Sequence, residues 1–317
     1  MARVSWVLAA ALFCVNALAQ SFPSKPIRIV VGYPPGGSGD FLTRLIADEL
    51  GKELGVSVIA ENKPGAGGNL AAVEVAKAAP DGYTLLNAPE LFCNRALYKN
   101  PGYDLKDFTT ITKIATGATV LVVNNNQPFQ TARELLDFAR ANPGKLFMAS
   151  AGYCSAPHLA ASFLEAAANV KFTQVQFKGG GPAAQSLLAG DTNVMFATSP
   201  TVMGFIRGNR MRPLAISMRN ASPAIPNIPG ADEAGIPGFQ YTFWFGLYAP
   251  AGTPRAVIQR LHAAGVKALS KPEVREKIAI QGMDPTPSAT PEAMDAEHKA
   301  EGAMIEKLIR ASGVRLD

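Results

Sequence analysis

Histidine and cysteine are scarce in this sequence, with three of each among 317 residues. Two of the histidines fall in predicted C-terminal helices, which leaves His158 as the candidate for a general base. No group of histidine, cysteine and acidic residues has the spacing of a metal site, so no metal is expected. No GxxxxGK[ST] segment or complete dinucleotide-binding motif occurs. The sequence therefore predicts no cofactor.

Long hydrophobic runs and blocks of basic residues are also missing. The apolar run at residues 7–15 is too short for a membrane span of roughly 20 residues, and no later run reaches that length. The formal net charge is +5, but its lysines and arginines are scattered singly. We therefore expect a protein that is not embedded in a membrane and does not bind nucleic acid. The mild positive balance suits a small anionic ligand.

The first 19 residues have the layout of a secretory signal peptide. Arg3 precedes the apolar run, and Ala17 and Ala19 form a small-residue cleavage site. Cleavage near Ala19 and export to the periplasm are expected. Cys14 is not expected to carry a lipid, because the bulky Phe13 precedes it.

Removal of that segment leaves Cys93 and Cys154 in an oxidising compartment. Two cysteines allow one intramolecular bridge. However, Cys93 closes the apolar triplet 91–93, which favours a buried thiol packed as a small hydrophobic group. We therefore expect two free cysteines. The alternative is a bridge, which would lock the hinge between the two lobes predicted below.

Strands, glycine-rich turns and helices alternate along the chain. Four of the five residues at 27–31 are β-branched, which predicts a strand, and a glycine-rich turn then leads to apolar residues at helical spacing. Similar units follow, which predicts parallel sheets covered by helices. Two such series indicate two α/β lobes: residues 20–121 plus 245–317 form the first, and residues 122–244 form the second. The chain crosses between them twice, which makes a two-segment hinge.

Three strand-to-helix turns are candidates for a shared anion site. Glycines at a helix N-terminus let an anion approach free backbone amides at the positive end of the helix dipole. Two of the turns fall in the second lobe and one in the first, so a site between the lobes is expected. The candidate ligand-binding residues in these turns are Tyr33, Pro34, Gly36, Gly37, Ser38, Asp40, Ser150, Gly152, Tyr153, Ser155, His158, Lys178 and Gly179.

A catalytic site is not expected. Residues 36–40 read GGSGD, which is not a nucleophile elbow because Asp40 stands where that motif needs glycine. A secreted serine hydrolase that uses Ser38 or Ser155 with His158 is the alternative. No acidic residue lies at a recognisable spacing to orient that histidine.

Segments along the whole mature chain resemble the Bug family, the periplasmic receptors of tripartite tricarboxylate transporters. The resemblance implies a type II periplasmic-binding-protein fold, with two doubly wound α/β lobes that close on one small carboxylate. It also implies a monomer that delivers its ligand to membrane permease subunits, with a ligand sensor that signals through a partner protein as the alternative. The matching segments are KPI and the following residues up to Asp40, ENKPGAGGN at 61–69, PDGYTLL at 80–86, ANPGK at 141–145, KG at 178–179 and APAGTP at 249–254.

The resemblance implies that backbone amides and ordered water at residues 33–38 and 150–158 hold the carboxylate. The chain departs from the family pattern at several positions. Ala197 stands where Asp is common, which counts against recognition of a ligand amino group, and Thr198 follows it. Glu90 occupies a loop that usually carries small residues, and Tyr33 replaces the common Phe. We expect Glu90, Ala197 and Thr198 to belong to the ligand site.

Overall fold

The computed structural model describes residues 22–89, 91, 93 and 97–312. The expected signal peptide and Glu90 lie outside the described residues. The strands are β1 Ile27–Val31, β2 Val58–Asn62, β3 Thr84–Ala88, β4 Phe108–Asn124, β5 Phe147–Ser150, β6 Thr173–Gln176, β7 Val194–Thr198, β8 Met211–Ile216, β9 Thr242–Pro250 and β10 Met283–Pro285.

Helices connect and cover these strands. Apolar residues at helical spacing bury one face of each long helix, as Leu42, Ile46 and Leu50 do in the first. No helix in the described part of the chain has the length and apolar character that a bilayer span needs. The helices are α1 Ser38–Leu54, α2 Asn69–Ala76, α3 Ala132–Ala141, α4 Ala156–Ala168, α5 Gly180–Ala189, α6 Ser199–Arg207, α7 Arg255–Ser270, α8 Pro272–Ile280 and α9 Pro291–Ser312.

The strands follow the order β2-β1-β3-β9-β4-β7-β5-β6, with β8 and β10 also paired to β4. Strands β1, β2 and β3 pair in parallel and form a first sheet with β9. Strands β5, β6 and β7 pair in parallel in a second sheet. The expected mixed α/β architecture with two lobes is confirmed.

Strand β4 belongs to both sheets. It pairs with β9 up to Ala118 and with β7 from Thr119 onward. The sequence pattern predicted only residues 119–123 of this strand, because its earlier part carries Thr109, Thr110 and Lys113 instead of a continuous apolar run. Pairing with β9 extends it. The chain crosses between the sheets here, and the division at 121/122 and 244/245 stays a prediction.

The C-terminal helices cover the first lobe. Lys271, at the end of α7, forms ion pairs with Glu49 and Glu53 of α1. His298 of α9 packs against Trp244 and Tyr248 of β9. These contacts hold the C-terminal helices against α1 and β9, beside the first candidate turn.

The expectation of two free cysteines is wrong. Cys93 and Cys154 form a disulfide, with their Cα atoms 5.5 Å apart. Cys93 follows β3 in the first lobe, whereas Cys154 lies in the turn after β5 in the second. The cysteines are 61 residues apart in sequence, and only the approach of these two strand ends brings them together. The bond is therefore a covalent link between the lobes.

Candidate functional site

An inner cavity of about 40 Å³ lies where the carboxyl ends of strands from both sheets meet. Ligands of open α/β sheets bind at this edge. The volume is enough for roughly three water molecules, so it suits one small polar group of a ligand. None of its lining residues carries a formal charge. They are Tyr33, Pro34, Gly37, Ser38, Gly39, Pro89, Ala151, Ser155, Ala156, Pro157, Gly180, Thr198, Thr201 and Phe245.

Four helices begin at this cavity. Helix α1 comes from the first lobe, and α4, α5 and α6 come from the second. Within the described chain, no side chain caps α1, α5 or α6. The first amides of an α-helix have no partner inside the helix and lie at its positive end. The cavity is therefore electropositive without any basic side chain.

Hydroxyl groups add polar contacts to the cavity wall. The Thr198 and Thr201 hydroxyls lie 2.9 Å apart and share a hydrogen bond. Ser155 donates its hydroxyl to the Gly152 carbonyl at 2.6 Å and accepts from the His158 amide. The Ser38 hydroxyl makes no hydrogen bond within the part of the chain that the structure describes. This hydroxyl remains available to a ligand.

Asp40 holds the first turn in place from behind. Its carboxylate accepts hydrogen bonds from the Gly36 amide at 3.2 Å, from Arg44 at 2.9 Å and from Asn62 at 2.9 Å. Burial alone would raise the pKa of Asp40, but these hydrogen bonds outweigh it and hold the pKa below its usual value. Asn62 also donates to the Tyr33 carbonyl at 2.9 Å. Asp40 is therefore a positioning residue for the turn.

A wider outer chamber of about 570 Å³ adjoins the inner cavity, and both share Tyr33, Pro34 and Ala151. Glycines after β2 form one wall, and the turns after β5 and β6 form the other. Lys178 is the one charged residue among those that line it. The remaining lining residues are Gly32, Pro64, Gly65, Ala66, Gly67, Gly68, Tyr98, Gly152, Tyr153, Gln176, Phe177 and Gly179.

The two lobes touch closely beside these cavities. Gly179, from the second lobe, has a φ of +120°, and a Cβ atom there would lie 2.5 Å from Cγ of Pro34 in the first lobe. Neither the backbone angle nor the space admits another residue. The two lobes are thus in direct contact at the edge of the cleft, where Gly179 meets Pro34.

The chain matches a known protein family. The sequence profile described as "Tripartite tricarboxylate transporter family receptor" matches residues 42–309. The chain belongs to this family. Its members are periplasmic solute-binding receptors, not enzymes. The resemblance expected from the sequence is confirmed.

The similarity to known proteins extends over nearly the whole chain. A protein of Pseudomonas sp. (strain P51), described as "UPF0065 protein in tcbD-tcbE intergenic region", is 37% identical over 97% of this chain and 93% of its own. The solved structure "R. palustris Rpa4515 with adipate" has a TM-score of 0.88 at 30% identity, covering 93% of this chain and 99% of that one. MatC from Rhodopseudomonas palustris with bound malate has a TM-score of 0.84 at 30% identity, covering 91% and 100%.

His158 has a structural role in this receptor. The residue is 3% exposed, and its Nδ1 atom accepts a hydrogen bond from the Cys154 amide at 3.3 Å. Burial lowers the pKa of His158 to about 4. Because the Ser155 hydroxyl donates to Gly152, the serine and histidine do not form the pair that a hydrolase needs. Among the described residues, no group of three potential metal ligands comes together.

The structure gathers many of the predicted site residues. Tyr33, Pro34, Gly37, Ser38, Ser155 and Thr198 line the inner cavity. Gly152, Tyr153, Lys178 and Gly179 line the outer chamber. The predicted residues that line neither of these two cavities are Gly36, Asp40, Ser150, His158 and Ala197.

Sequence reasoning missed several lining residues. Thr201 lies one helical turn after Thr198, and Phe245 reaches the cavity from β9. No local pattern marks either of them. The glycine-rich segment 65–68 is an incomplete dinucleotide motif and part of a segment that resembles the family, but neither feature predicts that it lines the ligand site. Its position at the end of β2, beside Gly32, gives it a place in the cleft.

Proposed function

We propose that this receptor captures a small carboxylate-containing ligand in the cleft between its lobes, for uptake by a membrane permease of the tripartite tricarboxylate type. The observation that carries the proposal is the convergence of four helix N-termini on an inner cavity lined by uncharged residues. Such amides and dipoles stabilise an anion without a counter-charge. The adipate and malate in two similar solved structures support a carboxylate.

The ligand is proposed to bridge residues 20–121 plus 245–317 on one side and residues 122–244 on the other. The Cys93–Cys154 disulfide links the two sides and limits how far they can separate. Within that limit, contacts from both sides are complete only in the closed form, so binding shifts the equilibrium towards closure. Strands β4 and β9 carry the two crossings and serve as the hinge. A monomer in the periplasm, released by cleavage near Ala19, would present the closed form to the permease.

A calorimetric titration of residues 20–317 tests the charge requirement. Adipate and malate are compared with adipamide, a neutral analogue of similar length, after removal of any bound ligand by unfolding and refolding. The carboxylates are expected to bind and adipamide is not. A carboxylate at 100 times its Kd should also stabilise the protein by about 2.7 kcal/mol. Equal binding of adipamide would contradict an anion site.

A substitution at Gly37 tests whether the carboxylate binds at the inner cavity. Gly37 has a φ of −101°, and a Cβ atom there meets nothing within 4 Å. Gly37→Val should therefore fold normally while its side chain fills the inner cavity, weakening carboxylate binding at least about 10-fold. Gly204→Val is the matched control, since Gly204 is exposed, has equal space and lies away from the cavity. Unchanged affinity in Gly37→Val would remove this turn from the site.

A further inference from the structure

The size and lining of the outer chamber indicate what kind of group the rest of the ligand is. Its volume of about 570 Å³ falls in the range of small-molecule sites. Four aromatic side chains line it, from Tyr33, Tyr98, Tyr153 and Phe177. They come from both lobes, so the rings surround the space on more than one side. A ligand whose acid group fills the inner cavity must place its body here.

The wall opposite the turns of the second lobe is nearly free of side chains. Gly65, Gly67 and Gly68 all have positive φ values, between +62° and +145°, which glycine adopts without strain. Gly32 approaches Gly68 so closely that a Cβ atom on Gly32 would lie 2.5 Å from the Gly68 Cα. The absence of side chains at these glycines leaves room along this wall for a planar ring.

Apart from the tyrosine hydroxyl groups, the polar side chains that line the chamber lie together at the end of β6. Gln176 and Lys178 alternate with Phe177 there and both line the space. The Gln176 Oε1 atom is buried and has no hydrogen-bond partner within the described residues. A buried acceptor without a partner costs about 1–3 kcal/mol, so a ligand that donates to it gains affinity. Lys178 supplies donors beside it.

Resting on the proposed function, we infer that the ligand is an aromatic carboxylate whose ring carries a hydroxyl group at the far end. The carboxylate fills the inner cavity, and the ring packs among the four aromatic side chains in stacked or edge-on contacts. A hydroxyl group both donates and accepts, so it satisfies Gln176 Oε1 and Lys178 Nζ together. A second carboxylate would satisfy the lysine only.

Four ligands of similar size separate these contributions: 4-hydroxybenzoate, benzoate, 4-hydroxycyclohexanecarboxylate and adipate. We expect 4-hydroxybenzoate to bind about 10-fold or more tightly than each of the others. Adipate binding equal to or tighter than that of 4-hydroxybenzoate would overturn this inference and leave the carboxylate site standing. If none of the four acids binds, the proposed function fails together with the inference.

Substitutions locate the hydroxyl contact. Lys178→Met and Gln176→Leu should each weaken 4-hydroxybenzoate binding about 5- to 10-fold while benzoate affinity stays unchanged, because benzoate lacks the hydroxyl. Lys145→Met, which replaces an exposed lysine of the same lobe outside the chamber, is the control and should change neither affinity. Equal losses for both ligands, or no loss for either, would contradict the assigned contact.

Discussion

The disulfide between Cys93 and Cys154 should contribute strongly to stability. A cross-link restricts the unfolded chain, and the loss of entropy grows with the length of the loop that it closes. The cysteines are 61 residues apart, for which the chain-entropy relation gives about 4 kcal/mol at 25 °C. Because Cys93 and Cys154 are both buried, alanine is the better replacement, since serine would bury hydroxyl groups.

Urea unfolding of three forms of the protein measures this contribution. Oxidised wild type, wild type reduced by a phosphine and the Cys93→Ala, Cys154→Ala double variant are compared. Trp244 is 2% exposed and contacts His298, so its fluorescence reports the packing of β9 against α9. Reduction should lower the free energy of unfolding of the wild type by about 4 kcal/mol. The double variant should be similarly destabilised and insensitive to the phosphine.

Two results would refute this reasoning. Alkylation of the unreduced, unfolded wild type that adds two labels by intact mass would show free thiols. A wild type whose free energy of unfolding changes by less than about 0.5 kcal/mol on reduction would show that the bond restricts the unfolded chain little. The reduced wild type retains both sulfur atoms, so its comparison with the double variant separates the cross-link from the cavity that alanine leaves.

The remaining predictions concern residues around the cleft. Burial holds the His158 pKa at about 4 in the folded protein, against 6.5 in the unfolded chain, so only the unfolded chain gains a proton between these values. The contribution of His158 to stability should therefore be full above pH 6.5 and fall by about 2 kcal/mol on acidification to pH 4.5, and His298, whose pKa burial also lowers to about 4, should add a similar loss. His158→Asn, which keeps an acceptor for the Cys154 amide, should lose about 2 kcal/mol less than the wild type in urea titrations at the two pH values. Asp40→Asn should cost about 1 kcal/mol of stability and weaken carboxylate binding several-fold by loosening the first turn; calorimetry that finds wild-type affinity would contradict its positioning role. Thr201→Val should weaken binding about 5-fold with under about 1 kcal/mol lost in thermal unfolding, and a larger loss of stability than of affinity would assign the hydroxyl to folding.

Local pattern was enough to place most strands and helices. Four β-branched residues among the five at 27–31 predict a buried strand, and β1 occupies those residues. Proline is favoured in the first turn of a helix, so the sequence predicts a helix from Pro182, but α5 already begins at Gly180 because Gly179 serves as its N-cap. The length of β4 was not predictable, since its first half is polar and forms through pairing with β9.

The residues of the candidate site were likewise predictable only in part. The turns that carry Gly37, Ser155 and Gly179 were recognisable because glycine and serine at strand-to-helix junctions leave amides free. Thr201 and Phe245 carry no such signal, and their place in the cavity depends on how α6 and β9 pack. Asp40 was predicted to belong to the ligand site, which stays a prediction; it lines neither cavity, and its three hydrogen bonds hold the first turn.

By itself the sequence determined the alternation of strands and helices, the family and the turns at which an anion site is expected, because these depend on residues close together in the chain. The tertiary structure alone decided which strand ends meet across the cleft. It thereby joined Cys93 to Cys154, set Gly179 against Pro34 and gathered four helix N-termini at one cavity. Such contacts join distant parts of the chain, and no local propensity encodes them.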